Sequence, residues 1–192
     1  MDSSAFLFGK LPAHGDFVSR GLTAPQAEAW DAWATSALET LRSASPDFEA
    51  VHDVAPPWRF VAGPSAFGPQ WRAGALAPSV DAAGRRFVAV IGVECSAPAA
   101  AACGLAFAER AEHGLYRALG EGLAADDVIA LLDEVRHAMS EQFQIADLLC
   151  AAPAGTGAWW AADTGLEPRA GAQPAADLLA AACHAGAEEA AR

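Results

Sequence analysis

The sequence predicts an α/β fold of the α+β type, with a central mixed or antiparallel sheet of about five to six strands flanked by helices on both faces. Three observations point there. Strand-like runs crowd the first half, two long helical patterns follow, and a strand and a helix close the chain, without the regular βαβ alternation of a parallel fold. The run Phe87-Val-Ala-Val-Ile-Gly-Val93 is apolar at consecutive positions, as a strand is when both faces of its sheet are covered. No low-complexity linker divides residues 1–170, which read as a single domain, and residues 171–192 read as a C-terminal helix and frayed tail.

The first strand is expected at Ala5 to Phe8. Gly9-Lys10-Leu11-Pro12 breaks it, His14-Gly15-Asp16 forms a tight loop, and Phe17-Val18 is a short extended piece. Thr23-Ala-Pro-Gln26 starts a helix: a capping hydroxyl stands three residues before a glutamine, and Pro25 lies in the first turn, where its missing N–H costs nothing. Trp30, Trp33, Ala34, Ala37 and Leu41 then recur at helical spacing, and Pro46 lies beyond the end. Pro56-Pro57 forces an extended entry into a strand at Trp58 to Ala62. Gly63-Pro64 and Gly68-Pro69 punctuate the loop that follows. Trp71 to Ala77 and Arg86 to Val93 form a hairpin around Pro78 to Gly84, with Gly84 suited to a positive φ.

Ser96 and Pro98 open a long helix running to about Leu119, where Gly120 and Gly122 end it. Another begins near Asp126, with Val128, Leu131, Leu132, Val135 and Met139 as its apolar stripe. Ile145 to Cys150 reads equally as strand or helix. Thr156 to Ala162 reads as a late strand ending in the turn Asp163-Thr-Gly165, and a final helix is expected after Pro174.

The composition narrows the function. A formal charge of −12 with no cluster of Lys and Arg argues against nucleic-acid binding, which needs cations to displace counterions, and against anionic lipid surfaces. The opening residues carry no positive charge, the apolar piece after them is too short for a signal peptide, and no run suffices to span a bilayer. A soluble, cytoplasmic protein is expected. Six tryptophans against one tyrosine suggest a well-anchored core. Cys95, Cys103, Cys150 and Cys183 lack metal or redox spacing and sit among apolar neighbours, as buried free thiols do.

His14 and Asp16 are the best pair for acid–base chemistry or metal binding, but a mechanism needs a third group, and the pair reads more simply as a capped turn with a backbone-bonded histidine. His52-Asp53 could supply ligands, with no reason in the sequence to lie near His14. Gly9-Lys10 lacks the rest of a phosphate loop, and Gly155-Thr-Gly157 lacks the rest of a dinucleotide fingerprint. Asp81 and Arg85-Arg86 bracket the hairpin turn, where exposed charges are ordinarily solvated, although a rigid tip also suits recognition. Arg59 should point away from Trp58 and Phe60 and pair with an acid such as Asp16 or Asp81. Trp159 and Trp160, adjacent on a strand, must face opposite sides.

The opening Phe6-Leu-Phe-Gly-Lys-Leu-Pro-Ala-His-Gly-Asp-Phe-Val-Ser-Arg-Gly-Leu22 resembles the signature of the TagF family, accessory proteins of bacterial type VI secretion. The likeness continues through Trp30-Asp-Ala-Trp33, Trp58-Arg-Phe60, Gly74-Ala-Leu-Ala-Pro-Ser-Val-Asp-Ala-Ala-Gly-Arg85 and Trp159-Trp160, in the family's order. The sequence departs from that pattern after Phe87, where Val88-Ala-Val-Ile replaces a Pro-Leu-Thr-like run. The phosphatase domain fused to some members is not expected here. The resemblance implies a non-catalytic, post-translational repressor of type VI secretion that binds the system's forkhead-associated scaffold protein. It implies no catalytic residue, cofactor or metal. Lys10, His14, Asp16, Arg20, Arg59, Asp81 and Arg85 are the candidate partner-binding or signature residues. The competing readings are a small hydrolase or metal-dependent enzyme centred on His14 and Asp16, and a structural oligomeric subunit.

Overall fold

A computed structural model describes residues 3–65, 67–95, 104–139, 157–161 and 169–170. The elements are β1 (Ser3–Gly9), β2 (Val18–Arg20), α1 (Ala24–Ala44), α2 (Phe48–Asp53), β3 (Trp58–Ala62), β4 (Trp71–Val80), β5 (Arg86–Cys95), α3 (Gly104–Gly120), α4 (Ala125–Met139), β6 (Gly157–Trp160) and β7 (Arg169–Ala170). The start of the helix expected at Ser96, the ambiguous Ile145 to Cys150, the turn at Asp163, the helix after Pro174 and the tail lie outside the described residues. So do Cys103, Cys150 and Cys183.

The strands form one sheet in the order β2-β1-β5-β4-β3-β6-β7, and every neighbouring pair is antiparallel. Among the described residues it has seven strands, including two short edges, β2 of three residues and β7 of two. The doubly apolar β5 lies inside, between β1 and β4, as its sequence requires. Pro78 falls beyond the last β3 partner of β4, where β5 is the one strand paired with β4 among the described residues, so its missing N–H leaves no gap in the β3 ladder.

Side-chain alternation sends each strand to two cores. Phe6, Trp58, Phe60, Leu76, Val90 and Trp159 face the side covered by α1 and α2. Leu7, Val61, Ala73, Ala75, Ala89 and Ile91 face the side covered by α3 and α4. Trp159 is buried on the first side and stacks on Phe60 with centroids 4.7 Å apart, while Trp160 packs partly buried on the second. Gly74 and Gly92 pair across β4 and β5. A Cβ on Gly92 would come within 2.8 Å of the Phe6 ring, and one on Gly74 within 2.9 Å of the Phe60 ring. Two rings thus occupy the space that side chains would have taken.

Helix α1 starts as its cap predicts. Gln26 Oε1 accepts from the Thr23 N–H at 2.7 Å and from the Thr23 hydroxyl at 2.8 Å. The six-residue α2 had no recognisable sequence signal. It is tied down by His52, whose buried Nε2 lies 2.8 Å from the Phe87 carbonyl. That bond corrects the view of His52-Asp53 as a possible ligand pair: the ring serves α2 docking, and Asp53 binds Arg86 at 2.7 Å.

Candidate functional site

The signature residues meet where the β1–β2 loop, the β4–β5 hairpin and the head of α4 adjoin. Beyond Gly9 the chain stays attached to β5, because the Lys10 N–H donates to the Val88 carbonyl at 3.0 Å. The buried Ser79 hydroxyl on β4 donates to the Lys10 carbonyl at 2.7 Å. With its backbone held from two sides, Lys10 extends its side chain to Asp81, placing Nζ 3.0 Å from Oδ2.

Asp81 organises the hairpin. Its Oδ1 accepts from the Ala83 N–H at 3.0 Å and the Arg85 N–H at 2.9 Å, closing the turn in which Gly84 takes φ 76°. Its Oδ2 accepts from Arg85 Nε at 2.7 Å. Burial pushes the Asp81 carboxyl up, but donation from the Arg85 N–H, the Lys10 ammonium, the Arg85 guanidinium and the Ala83 N–H outweighs it. The carboxyl is held well below the usual range. This corrects the expectation of solvated charges at the tip: the Asp81 side chain is wholly buried, while that of Arg85 remains 56% exposed. Turn chemistry in the sequence located Asp81, but not the lysine that follows β1 and buries it.

The loop is fastened to the hairpin and to α4 by separate bonds. Ala82 N–H donates to the His14 carbonyl at 2.8 Å, and Arg85 reaches the Gly15 carbonyl at 2.5 Å. The His14 ring turns to α4 instead, where Nε2 accepts the Ala125 N–H at 3.0 Å. The ring proton therefore resides on Nδ1. Asp16 Oδ1 accepts the Phe17 N–H at 2.8 Å. His14 and Asp16 thus have different partners and serve the loop's conformation, as the turn reading anticipated. Phe17, which sequence reasoning did not single out, is 47% exposed, yet it packs edge-on against Phe87 at 4.7 Å, with Lys10 Nζ 5.0 Å from its ring centre. Arg20 on β2 binds Asp126 on α4 at 2.7 Å, an exposed pair.

Arg59 stands apart from this cluster, and its expected pairing is corrected. It binds neither Asp16 nor Asp81 but Glu112 on α3, because position 59 projects to the α3 side of the sheet. Burial and the Glu112 carboxylate also push the neighbouring Tyr116 phenol up. The buried Arg72 lies 2.7 Å from Glu94, which also accepts from Gln26 Nε2 at 2.8 Å. Gln26 therefore caps α1 and joins it to the sheet, a double role that the capping spacing reveals only in part.

Among the described residues no group of three or more His, Cys, Asp or Glu side chains could hold a metal ion. A groove of about 460 Å³ runs along α1, lined by Ser36, Glu39, Thr40, Ser43 and Ala44, and includes none of the signature residues. No described helix is long and apolar enough to cross a membrane. The arrangement at the loop cluster fixes an exposed aromatic ring and an arginine on a stiff support, a form suited to contact with another protein.

Residues 7–135 match the family model described as the TagF N-terminal domain, type VI secretion system-associated, a span that contains all seven signature residues. The crystal structure of PA0076 from Pseudomonas aeruginosa PAO1 has a similar fold, with a TM-score of 0.70 and 23% identity over 92% of this chain and 92% of that chain. No curated protein sequence matches the chain.

Proposed function

The chain belongs to the TagF N-terminal domain family associated with type VI secretion, and from that premise we propose that it is a non-catalytic, cytoplasmic negative regulator of the secretion system. It acts after translation by binding the system's forkhead-associated scaffold protein. Family membership supplies the secretion context. The observation that carries the binding mode is the Lys10–Asp81–Arg85 node, whose polar atoms are spent on holding the loop and hairpin together. A site built for chemistry keeps a base or nucleophile free to meet substrate; here His14 and Asp16 are engaged with backbone N–H groups. The net charge of −12 also favours a polypeptide partner over nucleic acid.

The test is twofold. The full chain should co-purify with the forkhead-associated scaffold from cells carrying the system, and its overproduction should stop secretion of the tube protein. Normal secretion on overproduction, together with no scaffold retained, would remove this reading.

A further inference from the structure

Two different kinds of bond hold the β1–β2 loop. Its attachment to the hairpin uses backbone and arginine donors, from Ala82 N–H to the His14 carbonyl and from Arg85 to the Gly15 carbonyl, and neither depends on a group that titrates near neutral pH. Its attachment to α4 runs through the lone pair of the His14 ring, which accepts the N–H of Ala125, the first residue of that helix. Only the neutral ring can make this bond, because a protonated imidazole has two donors and no acceptor.

We infer that His14 is a proton-sensitive latch between the β1–β2 loop and the head of α4: the neutral ring holds the helix, and protonation of Nε2 releases it. Protonation both removes the acceptor of the Ala125 N–H and sets a positive charge at the positive end of the helix dipole. The charged groups gathered at this end are Lys10 and Asp16 on the loop, Arg20 on β2, Asp81 and Arg85 on the hairpin, and Asp126 and Asp127 on α4. Lys10 and Arg85 both bind Asp81, and Arg20 binds Asp126. The sign follows: the latch is closed while the ring is neutral and opens when the ring gains a proton, so acidification opens it. The hairpin bonds persist in both states, so opening loosens the loop from α4 while the Lys10–Asp81–Arg85 node stays intact.

The experiment is a two-dimensional NMR titration of the full chain from about pH 8 to about pH 5, the span in which an imidazole gains its proton. The amide resonance of Ala125 should move in step with the His14 ring carbons. In His14→Gln, whose amide oxygen can accept but does not titrate, the Ala125 resonance should lose that pH dependence. The latch is overturned by a static Ala125 resonance in the wild-type chain, whether or not the ring titrates. It is also overturned if the same movement survives in His14→Gln.

Discussion

The two faces of the sheet are packed from different materials. Beneath α1 and α2 the core is aromatic: Trp30 stacks on Phe67 with centroids 3.9 Å apart, and Phe6 and Phe60 pack around it. Beneath α3 and α4 the core is richer in alanine. Ala73, Ala75, Ala77 and Ala89 on the sheet share it with Ala111 and Ala118 on α3, among larger residues such as Ile91, Phe107 and Leu115. A large ring buries far more apolar surface than a methyl, so the aromatic face gains more per residue. It also carries a polar cost that the alanine face avoids, because the buried indole N–H groups of Trp30 and Trp58 have no hydrogen-bond acceptor among the described residues. The lesson concerns tolerance. One face should fail when large side chains are removed, and the other when small ones are enlarged.

The largest effect is expected from Trp30→Ala, which empties the centre of the aromatic face. Trp30 is fully buried and touches rings from β1, β3 and the loop before β4. Truncations of this kind cost about 3–5 kcal/mol, which in a chain of this size lowers Tm by on the order of 10 °C. Urea and thermal unfolding measure both. A loss no greater than that of an exposed alanine substitution would show that the stacked rings do not hold α1 in place.

Asp81→Asn probes the sheet's end, where charge and not packing holds the chain. The variant leaves Lys10 buried without its counter-charge, and the melting temperature at neutral pH should fall by roughly 5–10 °C. Because the folded state holds the Asp81 carboxyl below its ordinary value of 3.8, its contribution is complete above that value and drains away as pH falls towards the folded one. Melting curves at successive pH values should therefore show wild type and variant far apart at pH 7 and converging on strong acidification. A constant gap at every pH would show that the loss comes from altered shape, with no part played by the charge.

The sequence disclosed what is local. Helical spacing marked the buried face of α1, the Thr23–Gln26 pair marked its start, and the continuous apolar run of β5 placed that strand inside the sheet. Contacts between distant segments were another matter. His14 and Ala125 are 111 positions apart, and Arg59 and Glu112 are 53 apart. Periodicity says which side a residue faces, but not which element covers that side, so Arg59 was rightly turned away from its aromatic neighbours and given the wrong acid. The six residues of α2 are too few to establish a period. Asp81 was expected in solvent because charges at turns usually are; its burial depends on Lys10, which reaches it from the loop after β1. The signature was visible as a motif, whereas its assembly into one node required the fold.

Two changes on the alanine face complete the comparison. Ala111→Leu adds three carbons to a fully buried position on α3 and should cost about 1–3 kcal/mol by overpacking. Gly114→Ala sets two small effects against each other. Alanine favours the helix over glycine by about 1 kcal/mol. The added methyl would lie 3.2 Å from Ile91 Cδ1 and 3.6 Å from Leu131 Cδ2, so the first contact is tight and the second ordinary. Cδ1 is the far end of a flexible side chain and can retreat by a few tenths of an ångström, which offsets most of the helix gain. Urea unfolding should find a net change within about 0.5 kcal/mol, the range of a substitution without a severe mechanism. A loss comparable to that of Ala111→Leu would mean that Ile91 has nowhere to go, and that the alanine face is filled as tightly as the aromatic one.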